Sequence, residues 1–191
     1  MIPRLVVASK NPDKIEEIED VLTDTGLASE IVRGLEWPDV EETADSLEEN
    51  ALLKARAVTE ATGLPSLADD TGLEVDALDG APGVETARFA GDGARYEDNV
   101  KKLLAVLEGR SDRTARFRTV VALVFPDGVE VTADGTLDGV IAATARGTEG
   151  FGYDPVFEVN GKTLAEMSAE EKNDRSHRAR AIRALAESLG L

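Results

Sequence analysis

Two apolar runs, residues 117–125 and 129–135, flank Pro126-Asp127-Gly128. A connection that short makes the runs pair as an antiparallel hairpin. The hairpin argues against a purely parallel doubly wound sheet, and no regular strand-helix repeat of a barrel is present. Other elements alternate along the chain. Residues 5–8 read as a buried strand, and Asn11-Pro12 then opens a helix with Ile15, Ile18, Val21 and Leu22 on one face. A second strand is predicted over 28–33. Asp45 or Ser46 caps a second helix that runs to about Ala61, with Glu49 completing a Ser-x-x-Glu box and Gly63 as the stop. Two short apolar runs, 66–68 and 73–77, are separated by Asp69-Asp70-Thr71-Gly72, and a third helix is expected over 96–107. The spacing of Ile182, Leu185 and Leu189 predicts a last helix over 175–190, with Arg178 heading its apolar stripe. The fold class is α/β with a mixed sheet flanked by helices.

A chain of 191 residues with 42% hydrophobic residues can fill one core and is short for two full domains, so a single domain over 1–191 is expected. No cysteine occurs and His177 is the only histidine, which removes disulfides, thiolate chemistry and multi-histidine zinc sites. The apolar start, 5–8, is far too short for a secretory h-region or a membrane span, so a cytoplasmic location and no membrane partner are expected. Acidic residues outnumber basic ones 38 to 21, a net charge of −17, and the basic set holds 14 Arg and 7 Lys. Such a surface repels phosphate chains, so no nucleic-acid partner is expected. Salt screens the self-repulsion, which suits a halophilic protein.

Against that acidic background three groups of residues carry chemistry. The turn Ser9-Lys10-Asn11-Pro12-Asp13-Lys14 delivers a strand end to a helix N-terminus, where amides and the side chains of Ser9, Lys10, Asn11 and Lys14 offer donors to an anion. An Asn-Pro helix start is also what an N-cap looks like with no ligand. Carboxylates without basic sequence neighbours form the second group: Glu41-Glu42, and Asp69-Asp70 near a strand end. If the aspartate pair is extended, one side chain faces a site while the other is held from behind. A hard divalent cation such as Mg²⁺ takes one or two carboxylates plus water and substrate phosphates. The third is Lys54, on the stripe Leu47, Ala51, Val58, which either snorkels to solvent or contacts phosphate. Arg178 needs a partner too, an internal carboxylate or a ligand.

The segments Ser9-x-Asn11-x-x-Lys14, Glu49-Asn50-Ala51-x-x-Lys54-Ala55, Ala68-Asp69-Asp70-Thr71-Gly72-Leu73, Gly80-Ala81-Pro82-Gly83, Phe151-Gly152-Tyr153-Asp154-Pro155 and Ser176-His177-Arg178 occur in that order. Over nearly its whole length the chain resembles the inosine triphosphate pyrophosphatases, enzymes that remove ITP, XTP and their deoxy forms. The resemblance implies an elongated mixed sheet in two lobes with a nucleotide cleft between them, and a homodimer. It makes Ser9 to Lys14 the phosphate-side loop, with Lys54 also on phosphate. It makes Glu41 and Asp70 the Mg²⁺ ligands, Asp70 also the catalytic base, and Thr71 a substrate contact where the family has serine. Phe151, Gly152, Tyr153, Asp154, Lys172, His177 and Arg178 become the pocket for the purine base. Ser9 replaces the commoner threonine, Lys10 a frequent glycine, and Asp13 adds a negative charge to the loop.

The implied reaction is hydrolysis between the α and β phosphorus atoms, giving a monophosphate and pyrophosphate. Donors from Lys172, His177 or Arg178 to a 6-keto oxygen would favour hypoxanthine and xanthine over adenine. Two other readings fit the same residues: a pyrophosphatase for pyrimidine or other modified nucleotides, and a nucleotide-binding regulator without catalysis.

Overall fold

A computed structural model describes all 191 residues. In chain order the elements are β1 (Leu5–Val7), α1 (Pro12–Thr25), β2 (Ile31–Val32), α2 (Leu47–Thr62), β3 (Ser66–Val75), β4 (Pro82–Gly83), α3 (Tyr96–Val106), β5 (Thr114–Val124), β6 (Glu130–Ile141), β7 (Phe157–Val159), β8 (Lys162–Thr163), α4 (Ala169–Arg175) and α5 (His177–Ser188). The eight strands form one sheet in the order β2-β1-β3-β5-β6-β7-β8, with β4 beside β3. β1 is parallel to both β2 and β3, whereas β3–β4, β6–β7 and β7–β8 are antiparallel, so the sheet is mixed. No helix is long and apolar enough to cross a membrane.

The chain packs as two compact units, Met1–Asp70 with Thr119–Thr136 and His177–Leu191, and Thr71–Arg118 with Leu137–Ser176. Neither is a contiguous segment: three boundaries fall inside β3, β5 and β6, and the fourth lies between Ser176 and His177, where α4 gives way to α5.

In the first unit strand alternation separates two apolar faces. Leu5, Val7, Leu67, Val121 and Leu123 face α1 and α5, joining Ile18, Val21, Leu22, Ile182 and Leu185. Val6, Ala8, Ala68, Ala122 and Val124 face α2, where Ala51, Ala55 and Val58 pack close because most of these side chains are small. Gly135 lets β6 reach the start of α5: a Cβ there would lie 2.3 Å from the His177 carbonyl oxygen and 2.4 Å from the Ala181 nitrogen. The second unit has its own core, built on Leu73, Val75, Leu103, Phe117, Leu137 and Phe157.

Several expectations change in detail. The two apolar runs around Asp69-Asp70 are one continuous ten-residue strand, β3, so the acids lie within a strand and not in a loop. The predicted 175–190 helix is divided: Arg175 ends α4, Ser176 is extended, and α5 starts at His177, while Leu189 is exposed beyond the helix. The strand expected over 28–33 is reduced to Ile31–Val32 and an isolated bridge between Ile2 and Ala28.

Candidate active site

Alternation along β3 decides what each aspartate meets. Asp69 shares the Leu67 face, toward α1 and α5, where Lys14 lies 3.2 Å away and the Arg178 Nε and Nη2 both donate at 3.2 Å. The remaining guanidinium nitrogen of Arg178 meets Glu17, one turn beyond Lys14 on α1. Burial would raise the Asp69 pKa, but Lys14, Arg178 and Lys54 together outweigh it and hold the group far below the ordinary carboxylate range. Arg178 is correspondingly held charged, its burial offset by Asp69 and Glu17.

Asp70 shares the Ala68 face, toward α2, and there it meets Lys54. The ammonium lies 3.3 Å from Asp70 Oδ1 and 2.8 Å from Glu42 Oε1. Asp70 Oδ2 is buried and has no hydrogen-bond partner. Burial pushes the Asp70 pKa up; Lys54 works against that and Glu42 adds to it. Lys54 is itself partly buried, yet Asp70, Asp69 and Glu42 outweigh the desolvation and keep it charged. It therefore does not snorkel. No cluster of three or more ligating side chains exists. An unpartnered buried carboxylate oxygen with a second carboxylate on the same ammonium nonetheless suits a hard cation that brings its remaining oxygens from water and phosphate.

Glu41, expected as the metal ligand, is exposed, and its neighbour Glu42 is the one that reaches Lys54. Exposure alternates from Glu41 to Ser46, so the two glutamates point apart. In the phosphate-side loop Asn11 caps the start of α1. Asn11 Oδ1 accepts from the Asp13 and Lys14 amides, at 3.0 and 3.4 Å, and the Asn11 carbonyl accepts from Ile15 N. The first-turn amides expected to bind an anion are thus capped. Pro12 and Asp13 are exposed at the helix start, and Lys10 turns to Asp39 on the surface. Ser9 accepts from Asn11 N at 3.2 Å and keeps its hydroxyl proton to donate. Lys14, Ser9 and the side-chain NH2 of Asn11 are donors of this loop.

Residues expected around the base divide between the two units. In the second, Lys172 is buried, lies 2.6 Å from Asp154 Oδ2, and sits 4.9 Å from the centre of the Phe151 ring. The same Asp154 oxygen accepts from Phe151 N at 2.9 Å. Tyr96 packs against Phe151 with ring centres 5.8 Å apart. Gly150, at φ +71°, is what lets this arrangement close, since a Cβ there would lie 2.1 Å from Asp154 Oδ2. Gly152 turns the chain at φ +64°. Tyr153 is buried. Its ring is part of the core, its hydroxyl donates to the Thr86 carbonyl at 2.9 Å, and burial pushes its pKa up. Thr71 is partly buried on β3.

In the first unit, His177 opens α5 and its Nδ1 lies 2.6 Å from the buried Thr119 Oγ1. Arg178 takes the structural alternative: three of its nitrogens are engaged by Asp69 and Glu17. Sequence reading missed Glu17, although its three-residue spacing from Lys14 on a helix was visible. It also missed Thr119, a polar residue in the apolar alternation Phe117, Val121, Leu123.

A model of the Ham1 family matches residues 5–188. The chain belongs to the Ham1 family. A relative from Geobacter sulfurreducens named dITP/XTP pyrophosphatase is 49% identical over 194 residues, covering 98% of this chain and 96% of that protein. One from Streptomyces coelicolor with the same name is 47% identical, covering 95% of this chain and 94% of its own length. Among solved structures, a Ham1 protein from Coxiella burnetii superposes with a TM-score of 0.85 at 39% identity, covering 99% of both chains. The α/β fold with a mixed sheet is thus that of the Ham1 family.

Proposed function

We propose that this Ham1 family chain hydrolyses the non-standard purine nucleoside triphosphates ITP, dITP and XTP to the monophosphate and pyrophosphate, removing them from the nucleotide pool. The observation that carries the reading is Asp70: a buried carboxylate with one oxygen on Lys54, the other unpartnered, and a raised pKa. Near-full-length relatives named dITP/XTP pyrophosphatase supply the substrate class.

Asp70 takes a proton from the attacking water, for which a raised pKa is an advantage. As a new P–O bond forms and the bond between the α and β phosphates breaks, Lys14 and Lys54 receive the charge that shifts onto the phosphate oxygens. Asp69 does not react. It is held ionised by Arg178 and Lys14, and so fixes the strand and the cation that serve Asp70. Asp70 and Glu42 would hold a divalent cation, Mg²⁺ in this reading, which neutralises triphosphate charge when bound. Phe151 stacks on the base, and Lys172 and His177 donate to the 6-keto oxygen where adenine carries an amino group.

The 191 residues act as one catalytic domain in this reading, because the chain passes between its two units inside β3, β5 and β6 and at the Ser176–His177 step between α4 and α5, with no long linker. A homodimer, a cytoplasmic location and adaptation to salt complete it, the last supported by the −17 charge. The test is product analysis with ITP and Mg²⁺: equimolar IMP and pyrophosphate support the reading, and release of inorganic phosphate with IDP contradicts it.

A further inference from the structure

We infer that Lys54 holds the place of the divalent cation in the nucleotide-free enzyme, so that the metal is taken up together with the triphosphate and not before it. The inference rests on the proposed reading of Asp70 as a metal ligand. Lys54 Nζ lies 2.8 Å from Glu42 Oε1 and 3.3 Å from Asp70 Oδ1. These are the same two carboxylates that would bind the metal. A divalent ion on these carboxylates, even at the unpartnered Asp70 Oδ2, would lie within a few ångströms of that ammonium, and like charges so close repel strongly in a partly desolvated site.

No third carboxylate relieves the competition. Asp69 faces the other side of β3 and is engaged by Lys14 and Arg178, and no larger ligating cluster exists. A bare divalent ion would have to displace a partly buried, doubly paired ammonium and gain only two carboxylates, while Mg²⁺ gives up its water reluctantly. A triphosphate changes the balance. Its oxygens offer the ammonium a new partner, and the lysine's four-carbon stem with three rotatable donors allows the short swing from carboxylate to phosphate. Asp70 and Glu42 are then released to the metal that accompanies the nucleotide. Lys54 thus acts twice, as a stand-in cation before substrate arrives and as a phosphate contact afterwards.

The probe is Mn²⁺ titrated into nucleotide-free protein, with free ion followed by electron paramagnetic resonance. Lys54→Met and Lys54→Gln are expected to bind Mn²⁺ about tenfold tighter or more than the wild type. The double variant Lys54→Met/Asp70→Asn should lose that gain. Arg56→Gln removes the same charge from the same helix at an exposed position paired with Glu130, and should stay within about twofold of wild type. Unchanged or weaker binding by both folded Lys54 variants overturns the inference, as does an equal gain in Arg56→Gln. Wild-type protein provides a check that needs no variant: without nucleotide it should bind Mn²⁺ no tighter than about 1 mM, and clearly submillimolar binding overturns the inference. ITP turnover that needs no divalent ion would instead sink the underlying reading of Asp70. Divalent-dependent turnover without a gain in the Lys54 variants sinks only the placeholder role.

Discussion

Asp69 and Asp70 are consecutive residues on β3, both buried, and their pKa values are driven in opposite directions. Asp69 points to two cations on the α1 and α5 side and stays ionised. Asp70 points to α2, shares one ammonium with Glu42, and holds its proton more tightly. One strand thereby yields an inert structural anion and a reactive carboxylate, separated only by the two-residue period of a strand.

Replacing Asp70 by asparagine should lower kcat for ITP by roughly 10²-fold or more, since an amide is neither a base nor an anionic ligand. The variant's melting temperature relative to wild type should also improve as pH rises from about 4 to neutral, set against the loss of one partner of Lys54. The folded-state pKa of Asp70 lies above its unfolded value, so the cost of ionising it is absent below the ordinary carboxylate range and fully present above the folded pKa. The relative gain should therefore be largest at about pH 7 to 8 and shrink as pH falls toward about 4. Kinetics and thermal melts across that range check both halves.

Asp69→Asn is expected to do the reverse. Removing one partner of a buried ion pair costs about 3–5 kcal/mol, because Arg178 and Lys14 are left without their carboxylate. Asp69 has a depressed folded pKa, so its contribution is present above about pH 4 and is lost as pH falls through the folded value. Urea unfolding should show a wild type that weakens below about pH 4 and a variant whose stability is flatter there.

His177→Ala should lower kcat/KM for ITP by roughly tenfold or more and change that for ATP much less, as befits a lost donor to the 6-keto oxygen. Steady-state kinetics with both nucleotides read the ratio directly. An unchanged ratio with a lower melting temperature would make His177 a core group fixed by Thr119.

Much of this arrangement was legible in the sequence. Pro12 and Gly63 marked the start of α1 and the end of α2, and the Pro126-Asp127-Gly128 turn marked the hairpin. Signals of the same kind went unread elsewhere. Ser168-x-x-Glu171 is a capping box that opens α4, and Asn160-Gly161, both at positive φ, turn β7 into β8. What the sequence could not give was partner choice. Glu41 and Glu42 are chemically alike, and only the path of an irregular loop decides which one reaches Lys54. Arg178 was seen to need a partner, but Glu17 and Asp69 lie 161 and 109 residues away, a pairing that only tertiary packing makes.

Salt should raise both the melting temperature and ITP turnover from dilute buffer toward molar KCl at fixed Mg²⁺. The excess of 38 acidic over 21 basic residues repels itself and the incoming triphosphate, and at 1 M the Debye length falls to about 3 Å. The arginines favoured over lysine form bidentate pairs such as Arg56–Glu130 and Arg88–Glu85, which salt weakens less than long-range repulsion. An activity maximum is expected, because salt also weakens the hold of Lys14 and Lys54 on phosphate. Greatest stability and activity in dilute buffer would refute the salt adaptation.

The most direct test of the central claim is the ratio of kcat/KM for ITP and XTP to that for ATP, with pyrophosphate and inorganic phosphate measured separately in each reaction. A 6-keto-selective pyrophosphohydrolase should favour ITP and XTP by about 10²-fold or more and release pyrophosphate. A ratio near one, or inorganic phosphate as the product, would contradict it.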